Sequence, residues 1–100
     1  MAFSIVAEGK NVDWIDVRNE IFKSRLEYIN VYPILSEQGI VSIAVSIPIF
    51  KLDEYCWEEL NFILFTLRNK FSLKLFELYN GEQIPADNTE SLKELIGFKF

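Results

Sequence analysis

The chain has 100 residues, half of them apolar, and 15 acidic against 10 basic residues leave a net charge of −5. That length bounds a single domain, 1–100, with a folded core rather than disorder. The acidic balance excludes the basic footprint of nucleic-acid binding and disfavours anionic membrane surfaces. The lone cysteine, Cys56, excludes an internal disulfide and suits a reducing compartment such as the bacterial cytoplasm.

The N-terminal "MAFSIVAEGK" has no basic residue ahead of its short apolar run, so Phe3–Glu8 is expected as a first strand and not a signal peptide. The uncharged stretch Gly39–Phe50 is well short of the roughly 20 residues that cross a bilayer. A helix is expected from about Val12 to Arg25, capped by Asn11 or Asp13. Trp14, Ile15, Val17, Ile21 and Phe22 fall on its apolar side, and Asp13, Asp16 and Glu20 cluster opposite. Arg18 and Arg25 sit within the apolar arc and fit it poorly.

Leu26–Leu35 is rich in strand formers, with Pro33 marking an edge or bulge near its end, and "SEQG" at 36–39 reads as a hairpin loop. From Val41 to Ile49, large aliphatics alternate with Ser42, Ala44, Ser46 and Pro48, which defines a strand with one core face and one face of small residues. The strongest helical pattern is Asp53–Lys70: Cys56, Trp57, Leu60, Ile63, Leu64, Leu67 and Phe71 share one arc. "SLKLFELY" at 72–79 reads as a strand ended by the turn dipeptide Asn80-Gly81. A short helix is expected from about Asn88, or from Asp87, to Ile96, with Ser91 and Glu94 as a capping box and Gly97 as its stop.

The resulting order, β-α-β-β-α-β plus a short C-terminal helix, is the α+β ferredoxin-like split pattern: an antiparallel sheet with both helices on one face. RNA-binding sheets of this class present stacking aromatics on the open face of their central strands. Here the third strand offers only small residues there, which suits packing of a second sheet or subunit.

Catalysis finds little footing. No histidine exists, which removes Ser-His and Cys-His nucleophile pairs and the commonest metal ligand. No glycine-rich phosphate loop is present. Cys56 lies on the core arc among Asp53, Glu54, Glu58 and Glu59, whose charges oppose thiolate formation. The acids at Glu54/Glu58 and Asp13/Asp16/Glu20 share helix faces, yet Ca²⁺ wants six to eight oxygens and Mg²⁺ more converging acids, so solvated faces are the expectation. No catalytic residue, metal or cofactor is expected.

The segment "DEYCWEE" at 53–59 therefore needs another account. Asp53 is the N-cap and Glu54 a first-turn acid, which leaves Glu58 and Glu59 without a helix-end role. Tyr55, Phe62 and Phe65 lie opposite the core arc, interleaved with Glu54, Glu58 and Asn69. Three readings stay open for that strip: cover by the C-terminal helix or the "FKF" tail, a homodimer face, or a surface for another protein. The candidate partner-binding residues are Glu54, Tyr55, Glu58, Phe62 and Phe65, with Asp13, Asp16 and Glu20 if they extend the same acidic surface.

An acidic, histidine-free single domain with such a helix resembles the small immunity proteins of bacterial toxin–immunity systems. "NGEQI" followed by "SLKEL" is similar to the first strand and helix of barstar-like inhibitors, though at the opposite end of the chain. The resemblance implies a compact cytoplasmic inhibitor that neutralises a cognate toxin, often a nuclease with a basic cleft, its acids standing in for phosphates. The competing expectation is a homodimeric ferredoxin-like regulatory or structural domain without catalytic activity.

Overall fold

Alternation builds the centre of the molecule. The computed structural model describes residues 2–9, 13–23, 25–35, 41–49, 52–79, 81–84 and 89–98. Strands β1 (Ala2–Glu8) and β3 (Val41–Pro48) pair antiparallel along their whole length, with Ile5 opposite Val45 and Ala7 opposite Ile43. On the flanks, β2 (Asn30–Leu35) pairs with β3 and β4 (Lys74–Glu77) with β1, so the open sheet runs β2-β3-β1-β4, antiparallel throughout. Period two sends Ile5, Ala7, Ile43, Val45, Ile47, Val31 and Leu75 to one face, where all are buried.

Two helices connect strands that are not neighbours. Helix α1 (Trp14–Ile21) joins β1 to β2 past β3, and α2 (Glu54–Asn69) joins β3 to β4 past β1. Val17 and Ile21 of α1 and Cys56, Leu60, Ile63, Leu64 and Leu67 of α2 enter one cluster with the inward strand residues. That cluster is the core arc expected for α2, with Trp57 and Phe71 packed against it. The last element, α3 (Thr89–Ile96), adds Leu92 and Ile96 to it, and Gly97 closes the helix in the left-handed region (φ 106°).

Asp13 caps α1 by accepting from the Ile15 N–H at 2.9 Å, and Asp53 caps α2 by accepting from the Cys56 N–H at 2.9 Å. Asn11, Val12, the 36–39 loop, Asn80, Asp87 and Asn88 lie outside the described residues.

Four elements depart most from the sequence expectation. Helix α1 stops at Ile21 instead of Arg25, and Ile15 and Phe22 are exposed rather than on its buried side. Only Val17 and Ile21 bury fully, so a further turn carrying exposed Lys23 and Arg25 would gain no core contact. The second strand begins at Asn30, not Leu26, because the backbone at 27–29 donates to a side chain of α2. Strand β3 ends at Pro48 rather than Ile49, which lies exposed in a turn. The fourth strand spans Lys74–Glu77, not 72–79: its start is taken by the end of α2, and Leu78 and Tyr79 already turn. The chain then folds back on β4, with the Glu77 N–H donating to Glu82 O and the Ile84 N–H to Leu75 O, both at 2.8 Å.

Candidate protein-binding face on α2

A sixteen-residue amphipathic helix has two sides, and in α2 both carry large apolar groups. Facing out are Glu54, Tyr55, Glu58, Phe62, Phe65 and Asn69, a continuous stripe at spacings of three and four. The rings are open to solvent: Tyr55 is 61 % exposed, Phe62 37 % and Phe65 63 %. Among the described residues of the C-terminal segment, Phe98 packs on a flank of the helix, where it meets Trp57 edge-on at 5.0 Å. Lys99 and Phe100, the rest of the "FKF" tail, lie outside the described residues.

The two second-turn acids part company. Glu58 is exposed on the stripe. Glu59 turns the other way and accepts the backbone N–H groups of Glu27, Tyr28 and Ile29 at 2.6, 2.8 and 3.0 Å. One carboxylate thereby satisfies three consecutive donors on the approach to β2 and ties that segment to α2. Sequence reasoning missed this role, since nothing local marks a contact between positions thirty residues apart.

The acids of α1 fall elsewhere. Glu20 bridges Lys70, the C-cap of α2, at 2.6 Å and Lys23 at 2.9 Å. Its carboxyl is held below the ordinary glutamate range by the Lys70 hydrogen bond first and the Lys23 bond second. Lys70 stands fifteen residues along α2 from Tyr55, about 22 Å at the helical rise. Asp13 is engaged as a cap and Asp16 is exposed beside Asn19, Glu20, Lys70 and Phe71. The structure thus brings Glu54, Tyr55, Glu58, Phe62 and Phe65 together and places Asp13, Asp16 and Glu20 on α1, with Glu20 at the far end of α2.

Charge along the stripe is graded. Tyr55 is flanked by Glu54 and Glu58, whereas Phe65 has Asn61, Arg68 and Asn69 as helical neighbours. Beside this second end runs a groove of about 710 Å³ between α2 and β4, lined by Phe62, Phe65, Arg68, Ser72, Lys74 and Ile84 among others. Arg68 is committed to the fold, donating to Ile84 O at 3.0 Å. Ser72 closes the helix end with φ 54°, and the Leu73 N–H reaches back to Leu67 O at 3.0 Å.

Cys56 is fully buried, and its thiol is pushed up to about 11, by burial first and then by the charges of Glu59 and Asp53. A thiol in that state is a packing group rather than a nucleophile. Tyr28 is raised likewise by burial, with Asp53 and Glu27 adding to it.

Among the described residues no three of Asp, Glu and Cys converge as a cation site would require, and no helix is long and apolar enough to cross a membrane. Compared with protein-family models, curated proteins and solved structures, the chain matches none of them.

Proposed function

We propose that this chain is a non-enzymatic binding protein of the immunity type, which captures a basic, nuclease-like bacterial toxin in the cytoplasm through the outer face of α2. One observation carries the reading: Tyr55, Phe62 and Phe65 form an exposed row on a helix whose opposite side already fills the core. A helix that needs only one apolar side to fold gains nothing from a second, and aromatic anchors are what protein interfaces use. Glu54 and Glu58 beside Tyr55 supply the charge that steers and orients a cationic partner. The graded charge supports a partner whose basic group meets the Tyr55 end and whose apolar contacts fall on Phe62, Phe65 and the adjoining groove. The strand order, with each helix crossing one intervening strand, supports a ferredoxin-like scaffold beneath this face.

The test is protection. Cells expressing a basic toxin domain encoded beside this chain are expected to grow with the wild-type protein and to fail with Tyr55→Ala/Phe62→Ala. Equal capture of that domain by wild type and double variant overturns the assignment.

A further inference from the structure

The sheet has a second face that none of the described helices covers. Strand register sets Tyr32, Ala44, Val6 and Phe76 in one row across all four strands. The next row is Ile34, Ser42, Glu8 and Lys74. Down the sheet, β3 presents Ser42, Ala44, Ser46 and Pro48, with Ala44 buried between its neighbours, while β2 presents Tyr32, 47 % exposed, and Ile34, 41 % exposed. A ridge of large side chains therefore stands beside a trough of small ones.

We infer that this outer sheet face is a self-association surface that receives a second copy of the chain, face to face. Shape is the first argument. Packed sheets lie about 10 Å apart, which demands small or interdigitating side chains. A surface that carries both ridge and trough meets its own copy under a two-fold axis, each Tyr32–Ile34 ridge lying along the other's β3 trough. Charge is the second. By register, Glu8 and Lys74 are the only charged residues that β1–β4 set on this face, and they stand opposite each other, so the strands bring no net charge to it on a chain of net charge −5. Two copies join here without like-charge repulsion, whereas the α2 stripe would set Glu54 and Glu58 against themselves.

Strand addition at the edges is the weaker route. Pro33 removes a donor from β2, and residues 82–84 already pair along β4, Gln83 bridging to Phe76. Size sets the strength: four strands of about six residues outline a face of about 20 by 20 Å. At about 400 Å² per partner that is roughly half of a standard interface, so the dimer is a weak, transient one, to be sought in the micromolar range.

Sedimentation velocity of the full chain from about 5 to about 500 μM tests this, since a micromolar dimer populates across that range. Wild type is expected to pass from monomer to dimer. Ile34→Glu and, separately, Tyr32→Lys are expected to raise the midpoint at least about tenfold, and Phe65→Glu to leave it in place. Both altered residues are exposed in the monomer. Should either variant lose its fold, amide shifts on diluting the wild type decide alone: changes confined to β2 and β3 support the inference. A wild type that stays monomeric overturns it, as does a dimer lost with Phe65→Glu and kept with Ile34→Glu, or dilution shifts confined to α2.

Discussion

The outer face of α2 and the outer face of the sheet both expose aromatic groups, yet they differ in charge and relief. On α2 three rings stand clear of a convex helix beside Glu54 and Glu58. On the sheet, Tyr32 and Ile34 border a neutral trough of Ser42, Ala44 and Ser46. Apolar exposure alone is common on protein surfaces; charge and shape decide what fits one. The acidic, convex face suits an unlike, basic partner, and the neutral, grooved face suits its own copy.

The sharpest way to break that division is to remove rings from one face and read both events. Tyr55→Ala/Phe62→Ala is expected to cost the partner complex about 2–4 kcal/mol, some thirtyfold to several hundredfold in affinity by titration calorimetry. Melting temperature and the sheet-face dimer should be unchanged. A marked fall in melting temperature would instead make the stripe part of the fold.

Adjacent glutamates sharpen it further. Glu59→Ala leaves the N–H groups of Glu27, Tyr28 and Ile29 without their acceptor, with an expected stability loss of about 1–3 kcal/mol in urea unfolding. Glu58→Ala is expected to leave stability within about 0.5 kcal/mol of wild type and to weaken only partner binding. Equal effects of the two on stability would erase the distinction between the inner and outer sides of α2.

Cys56 marks the inner side through pH. Its folded-state pKa, about 11, lies above the ordinary 9.0, so below pH 9 both states hold the proton and the contribution to stability is complete. As pH rises from 9 towards 11 the unfolded chain ionises first, and stability falls by up to about 2 kcal/mol. The raised Tyr28 acts in the same sense from pH 10 upward. Urea midpoints between pH 8 and 10 should decline in wild type, and Cys56→Ala should flatten that decline.

Local periodicity made much of this legible. The alternation of Val41–Pro48 fixed β3, and the wheel of α2 separated Cys56 and Leu60 from Tyr55 and Phe65. What escaped depends on contacts distant in sequence. The start of β2 is set by Glu59, the start of β4 by the end of α2, and the pairing of its outer edge by the returning 82–84 segment. The small residues of β3 announced an open face, but which ridge borders it follows from the β2–β3 register, which no single stretch encodes. Glu20 read as a solvated acid because its partner Lys70 is fifty residues away.

The smallest effect is expected where α2 ends. Ser72 holds φ 54°, a left-handed conformation that costs an L residue about 1–2 kcal/mol and a glycine almost nothing. Glycine also loses more freedom on folding, so Ser72→Gly is expected to stabilise by only about 0.5 kcal/mol, or about 2–4 °C in melting temperature. The exchange alters neither the rings of the α2 stripe nor the outer sheet face, so dimer and partner affinities should hold. Ser72 nonetheless lines the groove beside Phe65. Partner affinity that drops while stability rises would mean that the strained turn shapes that groove for binding, and would extend the α2 surface by one turn beyond Asn69.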